Sequence, residues 1–119
     1  METFTDVKIE IFLPETFVTA LLDALAEAGA GVIGNYDHCA AVIPVRGMWC
    51  PLPGANPYDG EVGLLQSADE MKVEVNCKRE RVAAALDAIR RVHPYEEPVI
   101  NILPLANHLF SKRESAPSR

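Results

Sequence analysis

Met71-Lys72-Val73-Glu74-Val75-Asn76-Cys77 alternates apolar and polar residues without a break, the period of a strand with one wet face. Val82, Ala85, Leu86 and Ile89 follow at helical spacing, and Pro94 ends that helix. Val99 to Leu103 then reads as a further strand, closed by Pro104. The second half of the chain is therefore strand, helix, strand.

The first half carries the same order. Val7, Ile9, Ile11 and Leu13 share one face of a strand whose other face holds Lys8 and Glu10. Pro14 suits the first turn of a helix, which Val18, Leu21, Leu22 and Leu25 continue and Gly29 stops. Cys39 to Val45 is a second β-like run. Strand, helix, strand, strand, helix, strand is the split βαβ of ferredoxin-like folds (βαββαβ), an α+β class with an antiparallel four-stranded sheet and both helices on one face. One domain over residues 1–110 is expected, followed by a loose polar tail from Ser111 to Arg119. Such a sheet has an open face and bare edges that need cover, which favours self-association.

Composition narrows the partners. A formal charge of −6 and a pI near 5.0 oppose binding to nucleic acid. Lys78-Arg79 with Arg81, and Arg90-Arg91, fall at the two ends of the second helix among acids and read as a solvated face. No run reaches the ~18 to 20 apolar residues of a membrane span, and the amino terminus has no signal pattern. A cytoplasmic location without membrane contact is expected. Three cysteines without CxxC spacing imply reduced thiols.

Several motifs carry chemistry. His93-Pro94-Tyr95-Glu96-Glu97-Pro98 places an imidazole, a phenol and two carboxylates between prolines that steer His93 and Glu97 away from helix. In extended chain His93, Tyr95 and Glu97 point to one side, about 6 to 7 Å apart, and Glu96 to the other, so the segment cannot close a site alone. Gly29-Ala30-Gly31-Val32-Ile33-Gly34 satisfies GxGxxG, but the order helix, glycines, strand is the reverse of a dinucleotide site; it reads as a helix C-cap and turn.

Asn35-Tyr36-Asp37-His38-Cys39 concentrates imidazole and thiolate groups suited to Cu or Zn, but strand neighbours face opposite ways, and the structural reading, with Cys39 as a small buried apolar residue, outweighs the metal one. Arg46 to Gly63 is long for a hairpin turn, and its Trp49, Leu52, Tyr58 and Val62 want burial. Another subunit is the first expected cover, the loop's own sheet the second, and a small-molecule lid the third. No G-x-S-x-G elbow, P-loop or HExxH helix occurs.

Gly29 to Tyr36, Pro51-Leu52-Pro53-Gly54-Ala55-Asn56-Pro57, Gly60-Glu61-Val62-Gly63 and His93 to Pro98, in that order, resemble the stand-alone YqfO-like proteins. These correspond to the domain inserted in Nif-three-like proteins, and the likeness runs from about Val7 to Leu105. The His93 to Pro98 element also resembles the divalent-cation tolerance protein CutA, and both families are similar in fold to PII signalling proteins. The resemblance implies a PII/CutA-like ferredoxin-like subunit, commonly a trimer, with the loop after the second strand reaching across subunits. The paired metal ions of the longer Nif-three-like proteins belong to flanking lobes, so their hydrolase-type activity is not expected of these residues.

The expected function is a non-enzymatic cytoplasmic homo-oligomer, trimer favoured, that binds a small ligand or divalent metal at subunit clefts. Asn35, Tyr36, Trp49, Tyr95 and Glu96 are the expected ligand contacts, and His93, Cys39 and His38 the expected ligands of a Cu or Zn ion. The alternative is a structural or partner-binding module in which His93 to Pro98 is a rigid corner. An enzyme using His93 and Glu96 as acid and base would need both within about 3 Å of one substrate atom.

Overall fold

The alternation along Asp6–Leu13 makes β1, whose Val7, Ile9, Ile11 and Leu13 are sealed from solvent while the residues between them stay half-buried. Pro14 (φ −64°) opens a 3-10 turn at Glu15–Phe17 that runs into α1, Val18–Ala28. Gly29 ends α1 at φ 90°, a left-handed conformation that glycine adopts without a Cβ penalty, and its N–H donates back to the Ala26 carbonyl. Then follow β2 (Ala41–Trp49), β3 (Gln66–Lys78), a second 3-10 turn, α2 (Val82–Val92) and β4 (Ile100–Pro104). The computed structural model describes residues 3–110; the tail expected to be loose, 111–119, lies outside them.

All pairings are antiparallel and the sheet order is β2-β3-β1-β4, the expected ferredoxin-like arrangement. Val7, Ile9 and Ile11 lie opposite Cys77, Val75 and Val73, and Leu21 and Leu25 of α1 with Ala85 and Ile89 of α2 complete the core over that face. Full burial of each Val, Leu or Ile side chain among them stabilises the fold by about 1.5–3 kcal/mol. The other face carries Lys72 between Glu74 (3.0 Å) and Glu10 (3.3 Å), with Lys8 3.4 Å from Glu74. Its hydrogen bonds to Glu74 and Glu10 raise the Lys72 pKa, and Lys72 in turn lowers that of Glu74.

The strand limits differ from the sequence reading in one important place. The second strand runs to Trp49 instead of Val45 and the third starts at Gln66 instead of Met71, in register from Ala41↔Glu74 to Trp49↔Gln66. β1 ends at Leu13↔Met71, so the outer half of this hairpin projects as an arm without a third strand beside it. The molecule measures 60 × 32 × 23 Å with a radius of gyration of 17.0 Å, against about 13 Å for a compact 100-residue domain. Arg46-Gly47 and Ser67-Ala68-Asp69 lack an apolar alternation because this part has little core to face.

Ile9 lies at the centre of the buried face, so Ile9→Ala should lower unfolding free energy by about 2–5 kcal/mol and Ile9→Val by about 0.5–1.5 kcal/mol. Urea denaturation measures both; a loss below about 1 kcal/mol for Ile9→Ala would contradict this packing.

Candidate functional site

The chemistry gathers where α2 hands over to β4. Pro94 excludes helix at His93, which takes φ −68° and ψ 130° while its N–H still donates to the Ile89 carbonyl at 2.8 Å. The His93 ring then bridges two backbones. Nε2 lies 2.6 Å from the Phe12 carbonyl, and a carbonyl only accepts, so Nε2 carries the proton. Nδ1 accepts the N–H of Tyr95 at 3.2 Å. Burial, with only 8% of the residue exposed, lowers the His93 pKa against the opposing pull of that carbonyl and of Glu70.

This geometry corrects the extended reading of the segment. Tyr95, Glu96 and Glu97 form a bend, because the Tyr95 amide turns back onto His93, and the two rings lie 4.9 Å apart. Within one subunit it also bears on His93, expected to hold a Cu or Zn ion. Both ring nitrogens are engaged, so a metal ion would have to displace a backbone partner.

Tyr95 extends from the bend to the hairpin arm and donates its hydroxyl to Glu70 Oε2 at 2.6 Å. Burial, then that carboxylate, push the phenol's pKa far above its ordinary value, so it stays protonated. Glu70 is only 7% exposed and lies under Gly47, where a Cβ would collide with its carboxylate. The loop over residues 50–65 folds back onto this contact. Trp49 and Tyr58 pack on Tyr95 at centroid distances of 6.2 and 5.7 Å, and Tyr58 meets Phe17 edge-on at 6.4 Å. The Trp49 indole N–H donates to the Asp59 carbonyl at 3.1 Å, and Glu96 Oε1 accepts the Asn56 N–H at 2.9 Å.

A cleft of about 320 Å³ results, walled by Trp49, Pro51, Leu52, Tyr58 and Tyr95 and bordered by Asp59, Glu96 and Glu97. Its size lies at the lower end of small-molecule sites. The loop thus rests partly on its own chain, the second of the three covers expected, yet Leu52 and Leu65 remain 68% and 70% exposed. Trp49, Tyr95 and Glu96 converge here.

Asn35, Tyr36, His38 and Cys39 do not. Gly31 donates to the Asn76 carbonyl and Cys39 to the Gly31 carbonyl, which places that turn beside Asn76. His93 is bound to Phe12, opposite Lys72, four residues along β3 and so about 13 Å away. The GxGxxG glycines shape this turn, with Gly31 at φ 73° and Gly34 at φ 57°. Asn35 and Tyr36 are exposed, and Cys39 Sγ lies 3.6 Å from the Tyr36 carbonyl. His38, at φ 58°, sits between Asp37 Oδ1 (2.8 Å) and Asp23 Oδ1 (2.9 Å), and these bonds, Asp37 first, raise its pKa. Among the described residues no three His, Cys, Asp or Glu side chains are grouped to hold a metal ion.

Glu70 and Asp59 were not singled out from the sequence, and Tyr58 only as a loop residue that wants burial. In the alternation with Lys72 and Glu74, Glu70 looks like one more wet-face acid; only the arm's fold buries it. Gly47, two residues beyond Val45, which pairs with Glu70, is the one local sign that something needs room there.

No family model matches the chain. It is 37% identical over 100 residues to the "GTP cyclohydrolase 1 type 2 homolog" of Halalkalibacterium halodurans, over 84% of this chain and 27% of that protein. The chain spans about a quarter of the length of the curated relatives it matches. Among solved structures, a Bacillus cereus protein related to NIF3 superposes with a TM-score of 0.77 at 30% identity, over 90% of this chain and 27% of that one. The periplasmic divalent cation tolerance protein CutA of Archaeoglobus fulgidus gives 0.64 at 19% identity, over 85% and 84% of the two chains, a likeness of fold alone.

The ordinary pKa of His93 is 6.5 and burial lowers it, so below about 6.5 the unfolded chain takes up a proton that the folded chain refuses. His93 should therefore contribute full stability above that pH and lose it as pH falls. In urea denaturation at about pH 7.5 and about pH 5.5, His93→Gln should be destabilised at the higher pH and show a smaller drop between the two than the parent. An unchanged drop would contradict the neutral, buried ring.

Proposed function

We propose that this chain, a relative of one segment of the Nif-three-like proteins named GTP cyclohydrolase 1 type 2 homologs, is a non-enzymatic PII/CutA-like homo-oligomeric module that binds a small ligand in the cleft between its hairpin loop and its His93 to Pro98 corner. The observation that carries this reading is the convergence of Trp49, Tyr95 and Glu96, from opposite halves of the chain, on one largely apolar cavity. Against an enzyme stands the state of the reactive groups. His93 has both nitrogens engaged, Tyr95 is held protonated, and Cys50, which lines the cleft, has no histidine among the lining residues to activate it.

Self-association is supported by the surfaces the subunit leaves bare. Leu52, Val62, Leu64 and Leu65 stand exposed along the loop, and the edge strands β2 and β4 expose Val42, Ile43, Ile102 and Leu103. The trimer is the assembly we favour, on the CutA and PII likeness. A cytoplasmic setting suits the three free cysteines, and no helix among the described residues is long and apolar enough to cross a membrane. A divalent Cu or Zn ion remains part of the proposal only at a junction of subunits, where His38 and Cys39 of one copy would need ligands from another.

A ligand-free structural or partner-binding module is the second reading, favoured by the use of His93 and Tyr95 to tie backbone and arm together. Light scattering and ligand-detected NMR with small aromatic fragments of positive, neutral and negative charge separate the two. The proposal expects an oligomer that binds at least one fragment more tightly than about 1 mM, weakened about tenfold or more in Tyr58→Ala. An oligomer that binds none would favour the structural module, and a monomer would overturn the assembly.

A further inference from the structure

We infer that the ligand of this cleft is an organic cation, an ammonium or guanidinium group on a small flat body; the inference rests on the cleft being a ligand site at all. The rings carry the first part of the argument. Trp49 and Tyr58 are tilted against Tyr95 by 39° and 46°, so the walls present ring faces at differing angles around one space. Two of the polar edges that could take an anion are already used. The Trp49 N–H is given to the Asp59 carbonyl and the Tyr95 hydroxyl to Glu70. What remains is the Tyr58 hydroxyl, which can accept from a cation as well as donate, and the electron-rich faces, which attract cations.

The border of the cleft carries the second part. Asp59, Glu96 and Glu97 line it, and among the described residues no lysine, arginine or histidine does. Asp59, Glu96 and Glu97 enter no ion pair among the described residues, and Glu96 accepts one backbone N–H through a single oxygen. Arg90 shares a neighbouring depression with Glu96 and Glu97 but pairs with neither. A phosphate or carboxylate ligand would therefore meet only negative charge on a chain already at −6. A bare metal ion is a poor fit to aromatic walls that offer it no ligand atoms. An organic cation places its charge toward the carboxylates and its body against the rings.

Three probes that share a phenylethyl body test this: 2-phenylethylammonium, 3-phenylpropanamide and 3-phenylpropanoate, followed by the fluorescence of Trp49, the sole tryptophan. The ammonium should bind about tenfold more tightly than the amide, and the carboxylate more weakly than both. The double variant Asp59→Asn, Glu96→Gln keeps the acceptor for Asn56 and should reduce the ammonium preference to less than about threefold. An amide that binds as tightly as the ammonium would overturn the cationic assignment and leave the site standing. Binding of the carboxylate above the other two would do the same. If none of the three changes the Trp49 signal or an NMR-detected ligand line, the ligand site falls and the cation with it.

Discussion

A phenol hydroxyl 2.6 Å from a buried carboxylate joins the two parts of this molecule that sequence distance separates. Glu70 lies on the hairpin arm and enters no ion pair among the described residues, and a buried carboxylate without a donor would cost several kcal/mol. Tyr95 supplies that donor, and a hydrogen bond to an ionised acceptor is about twice as strong as a neutral one. The arm has no third strand to hold it beyond Met71, so this contact and the rings around it fix its angle to the core. Gly47 has to be glycine for the carboxylate to lie where Tyr95 finds it. Trp49 and Tyr58 rest on the ring so placed, and the cleft exists because all three meet.

His93 does the corresponding work on the other side of Tyr95. Its ring holds the end of β1 through Phe12 and the bend through the Tyr95 amide, so the corner cannot relax without breaking two hydrogen bonds. An imidazole in a motif rich in acids invites a catalytic or metal-binding reading. Here its protonation state and both nitrogens are committed to shape. Ring faces and rim carboxylates are what the cleft offers a ligand, in keeping with the proposed binding module.

The fold was legible because its core strands obey a period of two and its helices a period of 3.6, with Pro14, Gly29 and Pro94 as punctuation. All of these depend on neighbours in sequence. The outer arm was not legible, since Arg46-Gly47 and Ser67-Ala68-Asp69 face no core that would impose a pattern. Trp49, Tyr95 and Glu96 were identifiable as residues that want a partner, but their meeting depends on the arm's register. Glu70 was hidden for the same reason, as an acid phased with surface acids that becomes buried only when the loop folds back. Within one subunit His38 and Cys39 are not grouped with His93, by strand arithmetic: the turn docks beside Asn76 while His93 docks beside Phe12.

The central claim is that Tyr95 and Glu70 couple the corner to the arm. A double-mutant cycle of Tyr95→Phe and Glu70→Ala, read by urea denaturation, measures that coupling directly. Each single change should destabilise by about 1–3 kcal/mol, and the pair should fall short of additivity by more than about 1 kcal/mol. Losses that add to within about 0.5 kcal/mol would show that the two groups do not act on one another and would contradict this account of how the cleft is built.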